Sequence, residues 1–174
     1  MLGGEVIGYS DEERLRGVAG WLAFLCIIFL ILSPARTLIL TWVELARTER
    51  EVPGVAELPI WGTIKLYSLT FAVIAAGLSI YTGWRLNQVH RPSSVRLAMA
   101  MLWLLGPLLV LLDTAIASAA FGVPFAMDEQ GWGDLARGVV GASIWTAYLA
   151  LSRRVKNTYY ADEEEEADMG GAPG

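Results

Sequence analysis

The amino-acid sequence predicts an all-α integral membrane protein, a four-helix bundle with both termini cytoplasmic, and three observations carry that expectation. Of 174 residues, 55% are hydrophobic and only 18% charged, where an ordinary soluble domain has roughly a quarter charged. Four long apolar runs follow one another, each about the twenty residues needed to cross a hydrocarbon core of roughly 30 Å. Lys and Arg are divided unevenly among the segments between those runs.

The first span is placed at residues 17–41. It is uncharged from Gly17 to Ala35, between Arg16 and Arg36, and stays apolar through Val43. Pro34 is expected to kink it near its outer end, with neighbouring helices meeting the freed backbone group. Reading the same stretch as a secretory leader cleaved near Ser33, Pro34 and Ala35 fails on charge. Glu5, Asp11, Glu12 and Glu13 oppose Arg14 and Arg16 where a leader needs a positive segment. The loop from Glu44 to Ile60 mixes charges with Pro53 and Pro59, which predicts a short helical extension and then a turn. The second span, 62–84, contains the uncharged run Leu66 to Trp84. The third, 97–120, must admit Asp113, and the fourth, 132–152, begins close to Arg137. Between them Phe121, Val123, Pro124 and Phe125 suit the membrane interface. Continuous runs rich in Leu, Ala and Ile exclude the ten-residue alternation of barrel strands. No repeat or linker divides the chain, so the expected organisation is an acidic cytoplasmic segment (1–16), one four-span domain (17–159) and an acidic tail (160–174).

Orientation follows from Lys and Arg, which are in excess in cytoplasmic segments. Arg14, Arg16, Arg85, Arg91, Arg96, Arg153, Arg154 and Lys156 fall on one side, against Arg47, Arg50 and Arg137 on the other. Both termini are therefore expected inside. Five tryptophans fit as interfacial anchors, Trp21 and Trp84 at the inner ends and Trp42, Trp61 and Trp132 at the outer ends. Trp103 and Trp145 are then the deeper pair.

Chemical vocabulary is sparse. One His and one Cys cannot build a four-ligand zinc site, a disulfide or a CxxC pair, so no metal and no cofactor are expected. The net charge of −5 is concentrated in the run Asp162 to Asp168, and nothing in the balance suggests a nucleic-acid partner. Without a nucleophile and base, a metal cluster or a phosphate loop, no catalytic residue can be assigned, and the chain is not expected to be an enzyme.

Three ionisable residues sit in or beside the spans: Arg36, Lys65 and Asp113. Counted at about 1.5 Å per residue, they are roughly 30, 30 and 26 Å from the inner-face arginines of their own helices. They share one level near the outer leaflet. An Asp113 to Arg36 ion pair with Lys65 nearby is expected, either as an outward-opening substrate or proton site or, more blandly, as a snorkelling cation pair holding a structural carboxylate. Arg153, Arg154 and Lys156 beside the membrane suit lipid headgroups, or else a docking partner. Ala72 and Ala76, Ala75 and Ser79, Ala115 and Ala119, and Gly138 and Ala142 have the spacing that lets helices approach closely. The acidic run Asp162 to Asp168 reads as a solvated tail or as a contact for a basic partner surface.

The motif Trp145-x-x-Tyr148-x-x-x-Ser152-x-Arg154-Val155-Lys156-x-Thr158, with Gly20-Trp21-Leu22 opening the first helix and Ser33-Pro34 closing it, resembles the bacterial domain of unknown function 2569 family, the YdgK-like small inner-membrane proteins. The resemblance covers roughly Gly17 to Tyr159. It implies four helices in the bacterial inner membrane and carries no defined activity. Small extramembrane mass and charged tails then point to a non-enzymatic accessory or assembly subunit, with the lipid bilayer and a larger membrane protein complex as partners. The alternative is a small transporter or proton-coupled ligand-binding protein built on Arg36, Lys65 and Asp113.

Overall fold

A computed structural model describes residues 17–121 and 124–160. The expected segment 1–16 and all but the first residue of the tail lie outside the described residues. All regular structure among those described is helical: α1 (Trp21–Glu51), α2 (Pro59–Gln88), α3 (Pro92–Trp103), α4 (Leu109–Phe121), α5 (Glu129–Leu151) and α6 (Arg153–Tyr159). Three helical stretches are long and apolar enough to cross a membrane, Trp21–Glu51, Pro59–Gln88 and Pro92–Ile116, and a fourth follows if α5 and α6, bent 64° apart, are taken together.

Each stretch extends the run that predicted it. α1 continues to Glu51 before a short 3-10 turn at Val55–Glu57, so the helical extension outside the apolar run is real. Pro59 and Pro92 occupy first turns, where a missing N–H costs nothing and φ is already helical. Asp128 caps α5 by accepting from the Gly131 N–H at 2.7 Å.

Just before Pro34 the regular α-helix of α1 is interrupted. The helix widens into a π turn over Ile28–Leu32, below the proline. The Ser33 N–H reaches back five residues to the Ile28 carbonyl, so the next carbonyl, Phe29, would need an N–H from residue 34, and proline has none. Ser79 of α2 supplies the missing donor, its Oγ lying 2.8 Å from the Phe29 oxygen in a buried site. Gly83, one turn further along α2, lets the π turn come close enough for this bond. Ser79→Ala would leave a buried carbonyl unpaired and is expected to cost about 1–3 kcal/mol, measured as a lowered midpoint of unfolding in mild detergent.

The extra residue in the π turn also resets which face of α1 points inward. Leu22, Leu25, Cys26 and Phe29 are buried; continued at 3.6 residues per turn, that stripe would pass through position 36. Displaced by about one residue, it passes through Pro34, Thr37 and Thr41, and Arg36 is exposed.

The third stretch is broken as well. Between α3 and α4 a π turn spans Leu104–Leu108, with Gly106 out of helical geometry (φ −94°, ψ −106°) and Pro107 inside. Gly138 of α5 packs on this break with no side chain to spare. Of the small residues predicted to pack, Ala72, Ala75, Ala76, Ser79 and Ala142 are buried, whereas Ala115 and Ala119 are exposed.

The core is concentrated at one end, here termed the basal pole, where α1 begins, α2 turns into α3, and α5 ends. Leu22, Leu25, Phe29, Leu86, Val95, Ala98 and Leu149 form it, and α6 closes it with Val155 and Tyr159. The Tyr159 hydroxyl donates to the Leu86 carbonyl. The Gly17 N–H donates to Thr158 Oγ1 at 3.1 Å.

Of the tryptophans expected as anchors, Trp21, Trp42, Trp84 and Trp132 are 67, 66, 52 and 59% exposed. Trp61 is not an anchor. It is 6% exposed, and its indole N–H donates to Glu49 at 2.8 Å across the α1–α2 loop. Trp145 packs against Trp21 with ring centres 6.3 Å apart.

Candidate functional site: an acidic cavity

Above the two π turns the bundle divides. α1 packs along α2, and the α3–α4 break packs against α5. Between these two walls lies a cavity of about 650 Å³ that opens at the pole opposite the core. Thr37, Thr41 and Glu44 face it from α1, Tyr67, Ser68 and Phe71 from α2, Val110, Asp113 and Thr114 from α4, and Asp128 and Asp134 from the start of α5.

The wall residues of α1 and α4 are placed by the helix breaks. Thr37, Thr41 and Glu44 repeat at 4 and 3 residues, one face of a helix, and the π turn of α1 rotates that face inward. Asp113 is the second turn of α4, which hangs from the Gly106–Pro107 break. Tyr67 and Phe71 stack one turn apart, ring centres 5.8 Å apart and planes at 15°.

Charge in the cavity is one-sided. Four carboxylates line it, Glu44, Asp113, Asp128 and Asp134, with Arg47 the one cation among its lining residues. Arg47 is already paired with Glu51 at 2.7 Å. Asp134 binds Arg137 on its own helix, and Asp128 is occupied as a cap. Glu44 and Asp113 have no ion pair among the described residues.

The three residues expected to cluster do not come together. Asp113 faces the cavity; Arg36 and Lys65 are not among its lining residues. Arg36 is turned away by the π turn. Lys65, in the second turn of α2, lies opposite the end of α1 and binds Glu49 at 2.8 Å, the same oxygen that accepts from Trp61. The expected Asp113 to Arg36 ion pair is absent among the described residues. Arg153, Arg154 and Lys156 sit on α6 at the basal pole, their helix anchored by Val155 and Tyr159 on its inner face. No three His, Cys, Asp or Glu side chains converge as a metal-binding group among the described residues.

The polar positions of α1 are the sequence signal for the cavity. Thr37, Thr41 and Glu44 share one face of the helix, a signal obscured by the apolar residues around them. Gly106-Pro107 inside the third run was the signal for the break that aims Asp113.

A family model described as "Protein of unknown function (DUF2569)" matches residues 15–160. No curated protein and no solved structure matches the chain.

Proposed function

We propose that this chain, which belongs to the DUF2569 family of proteins of unknown function, crosses the bacterial cytoplasmic membrane four times with both termini inside and takes a small organic cation into its acidic cavity from the outer side. The observation that carries the reading is Asp113. A carboxylate within an apolar span is expensive unless it is paired or faces water, and here it lines a 650 Å³ cavity with Glu44, neither of them in an ion pair among the described residues. The stacked pair Tyr67 and Phe71 on the facing wall suits an alkylated ammonium, which binds aromatic faces as well as carboxylates. The thick basal core beneath the cavity favours a vessel closed on the inner side. No reaction is assigned to it.

Titration of the purified full chain in detergent with tetraethylammonium chloride, against sodium chloride at equal ionic strength, tests this. Tetraethylammonium is expected to raise the unfolding midpoint, and Asp113→Asn to weaken the apparent affinity roughly tenfold, about 1.4 kcal/mol. Equal responses to the two salts, or an unaltered affinity in Asp113→Asn, would overturn the reading.

The second reading, a non-enzymatic accessory subunit, is favoured by one feature: the two walls of the cavity meet at the base and leave a wedge that a partner's helix could fill. A stoichiometric larger membrane protein co-purifying from the native membrane, together with indifference to tetraethylammonium, would establish it over the first.

A further inference from the structure

Charge divides the molecule in a way that the cavity does not use. Among the described residues every carboxylate, from Glu44 to Asp134, lies in the cavity half or its loops, while the basal pole carries Arg85, Arg91, Arg96, Arg153, Arg154 and Lys156 with no carboxylate at all. None of these six cations forms an ion pair among the described residues.

At the α2–α3 corner two of them are arranged on one surface. The Arg85 guanidinium is braced from two sides, Nη1 donating to the Tyr81 hydroxyl and Nη2 to Ser93 Oγ, each at 3.1 Å. Its Nε has no partner among the described residues. Ser93 and Arg96, three residues apart in the first turns of α3, are both exposed, whereas Ser94 and Val95 between them are buried. That spacing puts the Ser93 hydroxyl and the Arg96 guanidinium on one outer face. Tyr81 and Trp84 stand beside Arg85, rings 6.2 Å apart and each about half exposed. Val73, Ile74 and Ile80 continue an exposed apolar strip along α2 away from the corner.

We propose that this corner binds the headgroup phosphate of an anionic phospholipid, with Arg85 and Arg96 as its cationic ligands, Ser93 bridging them, and the acyl chains lying along the Ile74–Ile80–Trp84 strip of α2. A guanidinium pairs with phosphate oxygens by parallel hydrogen bonds, and aromatic rings at this level mark the headgroup boundary. A soluble anion would satisfy the arginines but leave the adjoining apolar strip without a purpose. A zwitterionic lipid would bring its own ammonium to a pole whose six cations have no ion pair among the described residues. The inference rests on the chain lying in a membrane and is independent of the cavity reading, since no residue is shared between the two sites.

Native mass spectrometry of the full chain in detergent, with dioleoylphosphatidylglycerol or dioleoylphosphatidylcholine added at equal concentration, tests it. The phosphatidylglycerol adduct is expected to exceed the phosphatidylcholine adduct severalfold and to fall at least fivefold in the R85Q/R96Q double variant. R96Q alone, whose side chain is exposed and supports no packing, is expected to lose about half of the preference and guards against misfolding of the double variant. Three results would overturn the proposal: equal adducts for the two lipids, an undiminished preference in the double variant, or full competition by inorganic phosphate, which would make the corner a site for free anions. A preference that appears only after the full-length Asp162 to Asp168 run is changed to Asn and Gln would overturn it too, by showing that the chain's own acidic segment takes the place assigned to lipid.

Discussion

Gly83→Val is expected to destabilise the protein by about 3 kcal/mol. A Cβ at position 83 would come within 2.8 Å of Leu30 Cγ, 2.9 Å of Phe29 Cβ and 3.1 Å of the Leu30 backbone nitrogen. Side-chain atoms alone could rotate aside. The backbone nitrogen cannot, and it belongs to a π turn whose position is already set by the proline that follows it. Pushing α2 away would also stretch the bond from Ser79 Oγ to the Phe29 carbonyl, 2.8 Å long and buried, so that packing and hydrogen bonding fail together. Gly77→Val on the same helix is the matched control. It carries the same β-branched penalty, but a Cβ there meets nothing within 4 Å. Unfolding midpoints of the two variants in mild detergent should differ widely, and similar midpoints would mean that α2 does not seat the π turn.

The apolar runs made the helices legible, because burying a backbone in lipid or in a tight bundle demands long stretches without charge, and such stretches are visible in any sequence. The alanine stripe of α2 was legible for a related reason. Ala72, Ala75, Ala76 and Ser79 keep helical spacing, and only small residues permit close helix contact. Register was the part that could not be read. A 3.6-residue count assumes an unbroken helix, and one inserted residue at Ile28–Leu32 is enough to carry Arg36 out of the inward face and Thr37 into it. Depth counts failed for Lys65 through the same kind of assumption. They measure height along a helix, whereas its partner was decided by Glu49, brought opposite by α1 continuing past its apolar run. Trp61 shows the limit of composition rules: nothing in its position marks it as buried, and its indole N–H meets Glu49 only because α1 continues past its apolar run. The carboxylate that matters most, Asp113, was visible from the start, since a charge inside an apolar run has few bland explanations; its surroundings depend on the break at Gly106-Pro107.

That break makes Gly138→Val the most informative change on the other wall, with an expected loss of about 2 kcal/mol and a weaker response to tetraethylammonium in the same protein. A Cβ at 138 would lie 3.1 Å from the Pro107 nitrogen, 3.3 Å from the Gly106 carbonyl carbon and 3.4 Å from Pro107 Cα. All three are backbone atoms, so no rotamer change relieves them. Relief requires α5 to move off the π turn or the turn to move and carry α4 with it. α4 holds Val110, Asp113 and Thr114, and the start of α5 holds Asp128 and Asp134, so either movement alters the cavity along with the packing. Gly141→Val, three residues on, serves as control, because a Cβ there meets nothing within 4 Å. The paired measurement distinguishes two roles for the close approach. If the glycine serves stability alone, Gly138→Val lowers the unfolding midpoint and leaves the tetraethylammonium affinity unchanged. If the break is what aims Asp113 at its ligand, both fall, and Gly138→Ala, whose added atom needs only a few tenths of an ångström of adjustment, falls between the variant and the native protein in both.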